Sequence, residues 1–238
     1  MITTTELRIR QHQIIDPSMA EQTAYVVGLG MVGSWVAQAL SRVCGQVVGF
    51  DDDVVGVENL GTQCYDGLIG VPKADATKGA LLELPFTGYV ARFPDGAPSR
   101  TKPTVVVSCV DSMTARREVA EWCQRKKVPL MLDCRVLGET VALFAAFAQP
   151  QRESHEGYRR YLSELLTDNE VPDVPCGASG TAYCGMWLAA RVATVINNWC
   201  KGQPVAPKTI WHVGSNADLT FTGTDMDRKE VVPLVQAQ

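Results

Sequence analysis

The sequence predicts an α/β fold: a Rossmann-like, mostly parallel sheet with helices on both faces, extended by C-terminal strands in antiparallel pairing. Residues 24–51 carry an apolar strand, a glycine-rich turn, a helical apolar pattern and a second strand, which together form a βαβ unit. Such a unit implies parallel strands covered on both faces. Two short strand patterns, TIWHV and ADLTFTG, follow the last helical pattern. With 238 residues, 46% of them hydrophobic, the chain can bury one such core.

The individual elements are predicted in order along the chain. Residues 24–28, AYVVG, form a buried strand, and from Ser34 onward the apolar positions recur at helical spacing. QVVGF forms a second strand that ends at Asp51, and another helix begins at about Lys73. The same criteria predict later strands at 104–109, 128–133 and 139–148, a helix at 113–126, and an apolar helix in the pattern GTAYCGMWLAARVATVINNW.

A change in composition at residues 149–175 marks a connection between two parts of the sheet. This stretch is polar, mixed in charge and bounded by prolines, and we expect a short helix inside an exposed, mobile crossing segment. Neither an internal repeat nor a low-complexity tract divides the chain. Residues 1–238 are therefore predicted to form a single domain.

The composition argues against several kinds of partner. A formal net charge of −4 and a pI near 5.4 give no basic surface for a nucleic-acid backbone. No apolar run approaches the roughly 18 to 20 residues that span a bilayer, so we expect a cytoplasmic protein with no membrane partner. The eight cysteines include no C-x-x-C pair, so we expect reduced thiols and no structural zinc.

The turn after the first strand carries the pattern G-x-G-x-x-G at Gly28, Gly30 and Gly33. Gly28 permits the tight turn, Gly30 lets a phosphate approach the backbone, and Gly33 lets the helix lie close to the sheet. The helix N-terminus offers free N–H groups and a partial positive charge to an anion. This context predicts a nucleotide-phosphate site; the alternative is a turn kept for packing alone.

Asp51 stands at the end of the second strand, where an acidic side chain accepts hydrogen bonds from ribose hydroxyls. Asp52 and Asp53 are interpreted as solvated turn carboxylates. To this point an NAD-dependent dehydrogenase and an ATP-using enzyme fit equally well. Lys73 separates them, because an ammonium offsets phosphate charge as a leaving group departs, whereas a dehydrogenase has no need for one there.

Two amides and a carboxylate complete the candidate site. Asn59 and Gln63 lie just beyond the ribose-binding strand, and Asp111 follows the strand TVVVSC. The carboxyl end of a parallel strand faces the crevice where α/β sheets bind ligands. Asp111 can hold Mg²⁺, which favours one or two carboxylates plus phosphate oxygens. The competing interpretation is that Asp111 caps the following helix, and the two roles are compatible.

In this order and at these spacings, the motifs resemble those of the ThiF/MoeB family, adenylyltransferases related to ubiquitin-activating enzymes. The matching stretches cover roughly residues 7–148 and are RQ at 10–11, GLGMVG, FDDDVVGVENLGTQ, IGVPK, SCVDSMTAR and VPLMLDCRV, with a weaker match in CGASGTAYCGMWLAARVATVI. Each motif alone is weak, whereas the ordered set is specific.

The resemblance implies ATP-dependent adenylation of the C-terminal carboxylate of a small ubiquitin-like or sulfur-carrier protein, which gives an acyl-adenylate and pyrophosphate. Five positions match residues that bind ATP and magnesium in the family. By this match Asp51 would bind the ribose, Asn59 and Gln63 the nucleotide, Lys73 the phosphates and Asp111 Mg²⁺.

The resemblance also implies a homodimer, in which Arg10 would reach the partner's ATP and stabilise charge in the transition state. A thioester step, which several relatives omit, would need an accessible thiol. Cys176, between Pro175 and Gly177 at the end of the crossing segment, is the first candidate nucleophile. Cys134 in LDCRV, after a strand end, is the second. A buried structural thiol is the alternative for both.

The chain departs from the family pattern at several positions. Thr62 stands where the family usually has an arginine that contacts phosphate, and Met31 replaces a second adjacent glycine in the turn. Ser112 replaces the asparagine that commonly follows the magnesium aspartate, and the paired C-x-x-C zinc motifs are absent. The lysine, the aspartate and the N-terminal arginine of the site remain, which favours an active enzyme.

Other functions stay open on the sequence alone. One alternative is a non-catalytic partner subunit that lends Arg10 to another chain's site. Another is an enzyme that activates a carboxylate on a short peptide or on a modified tRNA base, although the acidic composition argues against tRNA. An NAD-dependent dehydrogenase ranks last, because it leaves Lys73 unexplained.

Overall fold

The computed structural model describes residues 6, 9–65, 68–99, 101–148, 156–171, 180–215 and 217–221. Its strands are β1 Thr23–Val27, β2 Gln46–Asp51, β3 Phe86–Val90, β4 Val105–Ser108, β5 Leu130–Leu137, β6 Thr140–Phe147, β7 Lys208–His212 and β8 Ala217–Phe221. Its α-helices are α1 Gly33–Leu40, α2 Lys73–Ala80, α3 Met113–Lys126, α4 Glu156–Glu164 and α5 Ala182–Cys200.

One eight-stranded sheet, in the order β3-β2-β1-β4-β5-β6-β7-β8, organises the chain. The first five strands of that order run parallel, and β6, β7 and β8 continue it in antiparallel pairing. Helices α1, α2 and α3 connect β1 to β2, β2 to β3 and β4 to β5, whereas a loop connects β3 to β4 and only Gly138 and Glu139 separate β5 from β6. The predicted fold class is therefore confirmed.

Helices cover the sheet on both faces. Alternate residues of β1 point to opposite sides: Val26 belongs to the core under α1 and α5, and Tyr25 belongs to the core under α3 and α4. Leu188 of α5 and Val119 of α3 are buried in these two cores. Among the described residues, no helix combines the length and hydropathy that crossing a bilayer requires.

Two strands differ from the prediction. β3 was not predicted, because FTGYV buries only Phe86 fully and lies at the sheet edge, so it lacks a long apolar run. Its backbone pairing with β2 makes it a strand. The strand predicted to end at residue 133 continues to Leu137, since the hairpin with β6 supplies backbone partners for the less buried end of β5.

The short helix predicted in the crossing segment is α4. Tyr158 and Tyr161 of α4 are buried, and the Tyr158 hydroxyl donates to the carbonyl oxygen of Val128 at 2.9 Å. Farther along, the Asp168 carboxylate accepts from the backbone N–H of Met113 at 2.6 Å, at the start of α3. Tyr158, Tyr161 and Leu165 therefore pack in the core, which corrects the expectation of an exposed segment for one side of α4 and its end, whereas most of residues 163–170 are exposed as expected.

The approach of α1 to β1 depends on two glycines. Gly28 has a φ of 85°, a conformation that residues with a Cβ rarely adopt. A Cβ at Gly33 would stand 1.7 Å from the carbonyl oxygen of Gly28, far inside van der Waals contact. The backbones of turn and helix therefore touch directly, and this contact aims the N-terminus of α1 at the strand ends.

We expect Gly33→Ala to lower the free energy of unfolding by at least about 3 kcal/mol, because neither backbone can move away without repacking α1. Gly30→Ala is the matched control in the same turn, since a Cβ there would meet no atom within 4 Å. Its stability should change by less than about 1 kcal/mol. Urea unfolding of both variants checks this; equal stabilities would contradict the steric account.

Candidate functional site

A cavity with a volume of about 990 Å³ lies where the carboxyl ends of β1, β2, β4 and β5 meet. Carboxyl strand ends are where open α/β sheets bind ligands. The candidate nucleophile Cys134 lines it, and so do seven residues proposed for the nucleotide and magnesium: Gly28, Gly30, Asp51, Asn59, Gln63, Lys73 and Asp111. Positions far apart in the chain thus share one surface.

Gly30 differs from the other two glycines of the turn in what surrounds it. Gly28 and Gly33 are required by contacts within the protein, whereas the space at the Cβ position of Gly30 is empty for 4 Å and opens to the cavity. The protein's own packing therefore does not demand glycine at this position. A ligand that approaches the backbone closely would demand glycine here, and a phosphate group is such a ligand.

The Asp51 carboxylate connects the end of β2 to the glycine turn. One oxygen accepts from the backbone N–H of Leu29 at 2.6 Å, and the other accepts from the N–H of Asp53 at 2.9 Å. Burial raises the pKa of this carboxyl, while the two backbone N–H groups oppose that rise. Asp51 thus orders the turn as well as facing the cavity.

Lys73, the first residue of α2, is held by Asp53 through both side chain and backbone. Its Nζ lies 2.8 Å from Oδ2 of Asp53, and its backbone N–H donates to the Asp53 carbonyl oxygen at 2.9 Å. Asp53 is therefore a solvated carboxylate, as interpreted from the sequence, that also pairs with Lys73. Since the Asp53 side chain is 70% exposed, the pair is weak, and an incoming phosphate could replace this carboxylate.

The two predicted amides have different surroundings. Oδ1 of Asn59 accepts from the backbone N–H of Gly56 at 2.8 Å, so this oxygen holds the short 3₁₀ turn Val57–Asn59 in shape. Gln63 is 6% exposed, and its Oε1 is buried without a hydrogen-bond partner among the described residues. A buried acceptor without a donor is costly, so Gln63 fits a ligand that brings an N–H or O–H group.

Asp111 follows β4 and is exposed on the cavity wall. The cap of α3 is the next residue, Ser112, whose Oγ accepts from the backbone N–H of Ala115 at 3.2 Å. The competing interpretation of Asp111 as the helix cap is therefore wrong, and its carboxylate is left for another role. The serine found where the family commonly has asparagine performs the capping.

The donor set of the cavity fits a magnesium–nucleotide complex. The open backbone at Gly30 suits a phosphate group. The unpaired Oε1 of Gln63 suits a ligand that donates a hydrogen bond. Oxygens of Asp51, Asp52 and Asp53 lie within 4.8 Å of one another, and Asp111 adds a carboxylate from β4. Carboxylates of this kind are ligands for a hard divalent cation.

A buried charged group behind the cavity was missed by the sequence analysis. Arg116, 6% exposed and lining the cavity, donates to the Asp133 carboxylate and to the Cys134 carbonyl oxygen. Asp133 also accepts from Nε of Arg135 at 2.7 Å and from the hydroxyl of Tyr161 at 2.9 Å. An aspartate inside the apolar run LMLDCRVL was the available signal, because a fully buried carboxylate needs a cation.

Cys134 does not follow a strand end as predicted, because β5 continues to Leu137. It is 2% exposed, and its neighbour is Cys109, since Ser108 and Asp133 pair across β4 and β5. A hydrogen bond with Cys109, followed by burial, raises the pKa of the Cys134 thiol well above its usual range. Cys176 lies outside the described residues.

The structure does not bring Arg10 to the cavity of its own chain. It is exposed in a turn that precedes the first strand, and it is not among the residues that line the cavity. The turn is attached to the far end of α5, where Nζ of Lys201 donates to the carbonyl oxygen of Ile14 at 2.8 Å.

The chain is similar to known proteins over most of its length. A model described as the ThiF family matches residues 17–225. The molybdopterin-synthase adenylyltransferase of Salmonella typhimurium is 27% identical over 207 residues, which cover 82% of this chain and 80% of that protein.

Two solved structures share the fold. The structure of PaaA has a TM-score of 0.64 at 16% identity and covers 86% of this chain and 73% of PaaA. The Escherichia coli tRNA N6-threonylcarbamoyladenosine dehydratase TcdA, solved in complex with AMP, has a TM-score of 0.59 at 19% identity. That match covers 84% of this chain and 93% of TcdA.

We expect Cys134 to resist alkylation in the folded protein. Its raised pKa keeps the thiol protonated at pH 8, and burial excludes the reagent, so iodoacetamide should modify it at least about tenfold more slowly than an exposed cysteine. Mass spectrometry of the digested protein, with a urea-unfolded sample as control, measures the rate. Rapid modification of Cys134 in the folded sample would restore it as a candidate nucleophile.

Proposed function

The chain belongs to the ThiF family, and from this premise we propose that it is an ATP-dependent adenylyltransferase that activates the C-terminal carboxylate of a small ubiquitin-like or sulfur-carrier protein. The observation that carries the proposal is the single cavity that joins the glycine turn to the ammonium of Lys73. The relative from Salmonella typhimurium is named an adenylyltransferase, and the match covers 82% of this chain. This similarity supports the reaction class.

Each cavity residue has a role in this reaction. The N–H groups at the turn and at the start of α1 bind phosphate oxygens, and Asp51 accepts from the ribose hydroxyls. Asn59 and Gln63 contact the nucleotide, and Lys73 exchanges Asp53 for the phosphates. Asp111 holds Mg²⁺, which neutralises phosphate charge when it is bound.

The reaction is an in-line displacement at phosphorus. A carboxylate oxygen of the acceptor attacks the α-phosphorus of ATP, and the bond from that phosphorus to the bridging oxygen of the β-phosphate breaks. The acceptor becomes an acyl-adenylate, and pyrophosphate leaves with the electron pair of the broken bond. The ammonium of Lys73 stabilises the charge that develops on the departing oxygens.

We further propose that the active form is a homodimer in which Arg10 acts on the partner subunit's cavity. Ile14, four residues after Arg10, accepts from Lys201 at the C-terminal end of α5, whereas Gly180, just before the start of α5, lines the cavity. The 19 residues of α5 span roughly 28 Å, so the Ile14 contact is about one helix length from the cavity of its own chain. Antiparallel pairing of two α5 helices about a two-fold axis would remove that distance.

The exposed face of α5 supports such a pairing. Tyr183, Met186 and Trp187 follow one another at helical spacing and are 45%, 44% and 39% exposed, respectively. They lie at the cavity end of α5, where the N-terminal turn of a partner chain would arrive. Burying these side chains would supply apolar contact area for the interface.

We expect Lys73→Ala to weaken binding of ATP with Mg²⁺ by about tenfold or more, because the phosphates lose a charge-assisted contact. The affinity for AMP, which lacks the β- and γ-phosphates, should change less. Lys78→Ala, an exposed lysine on the same helix, is the matched control and should bind both nucleotides like the wild type. Calorimetric titration measures all three proteins.

The same variants test the reaction itself. With a small acceptor protein that ends in Gly-Gly, the wild type and Lys78→Ala should catalyse ATP–pyrophosphate exchange, and Lys73→Ala should lose about a hundredfold in rate. If the wild type binds ATP but exchanges with no carboxylate acceptor, the non-catalytic subunit is the better assignment. Exchange that survives in Lys73→Ala would refute the role of this lysine.

Mixing two inactive variants tests the role of Arg10. Arg10→Ala and Lys73→Ala should each be inactive alone, but a mixed dimer contains one site with both residues intact. When the two variants are mixed equally and at random, half of the dimers are mixed dimers, and each mixed dimer has one intact site of two. ATP–pyrophosphate exchange should therefore recover to about a quarter of the wild-type rate. Mass spectrometry confirms that subunits have exchanged. If exchange activity then fails to recover, Arg10 does not act in the partner's site.

A further inference from the structure

A second cavity, of about 150 Å³, lies on the α5 side of the antiparallel half of the sheet. The second half of α5, strands β5 to β7, Thr220 of β8 and the loop Pro204–Ala206 enclose it. It shares no lining residue with the nucleotide cavity. Its volume is roughly five times that of a water molecule in the liquid, so a small organic molecule fits.

Arg191 of α5 is the charged group of this cavity. Its guanidinium lies over the ring of Trp211, with 4.9 Å between Cζ and the ring centroid. Its Nε is buried and has no hydrogen-bond partner among the described residues. None of the described residues that line the cavity is acidic. A cation–π contact stabilises this half-buried cation, but it leaves the buried Nε without an acceptor.

The rest of the wall combines hydroxyls with apolar side chains. Thr209, 8% exposed, and Thr220 bring hydroxyl groups, and Asn198 brings an amide. Leu132 and Leu143, both almost fully buried, form part of the apolar wall. A planar guanidinium next to hydroxyls matches a carboxylate, and the leucines match a short hydrocarbon body.

We propose that this cavity binds a small organic monocarboxylate, with the carboxylate on Arg191 and the hydrocarbon part against the leucines. An inorganic oxyanion would satisfy the guanidinium and the hydroxyls but would leave the apolar wall uncovered. A neutral molecule of the same size would cover the wall but leave the guanidinium without an acceptor. The proposal does not rest on the proposed adenylation, because no residue is common to the two cavities.

Calorimetric titration with sodium butyrate tests the proposal, with butyramide as the neutral isostere and sodium phosphate as the inorganic anion. The wild type should bind butyrate at millimolar concentrations, and butyramide and phosphate should bind at least about tenfold more weakly, since each lacks one of the two matched parts. Arg191→Gln should lose butyrate binding by a similar factor.

Two control proteins separate this site from the rest of the molecule. Arg159→Gln removes an exposed arginine on α4, which lies on the opposite face of the sheet, and should bind butyrate like the wild type. Lys73→Ala should also bind butyrate normally, which excludes the nucleotide cavity as the butyrate site. Absence of butyrate binding to the wild type, or equal binding to Arg191→Gln, would overturn the proposal. The proposal would also be overturned if the wild type bound butyramide as tightly as butyrate.

Discussion

The close contact between Gly28 and Gly33 is the constraint on which the rest of the site depends. Because the backbone of α1 touches the turn after β1, the free N–H groups at the start of α1 face the strand ends rather than a neighbouring helix. The Asp51 carboxylate binds the N–H of Leu29 and thereby pins this turn to the end of β2. The adjacent strands β1 and β2 therefore place the glycine turn and the Asp51 carboxylate side by side at the carboxyl edge of the sheet.

Charges around the large cavity are paired in two ways that differ in strength. Lys73 and Asp53 form a pair that is largely solvated on the acid side, and such pairs contribute about 0–1 kcal/mol. Asp133 is completely buried between Arg116 and Arg135, and removing one partner from such a group costs about 3–5 kcal/mol. The exposed pair can thus yield to a ligand, whereas the buried group serves as a scaffold behind the cavity wall.

The long helix α5 contacts the sheet and reaches both cavities. One face buries Leu188 and Val192 against the sheet and α1. Another side leaves Tyr183 and Trp187 exposed near the large cavity, and Arg191, one helical turn after Trp187, lines the smaller cavity. A helix of 19 residues is long enough to reach both cavities.

The sequence by itself determined the βαβ order, the start of α2 at Lys73 and seven of the polar and glycine residues that meet in the large cavity, because valine runs, helical spacing and a glycine turn are local signals. Only the tertiary structure decided that Asp53 pairs with Lys73, that Ser112 caps α3 and that Asp133 joins two arginines. The tertiary structure also decided that Phe86–Val90 forms β3, because this segment buries few apolar side chains. These features arise from pairings between segments distant in the chain, and a one-dimensional pattern carries no record of which polar groups meet once the sheet is assembled.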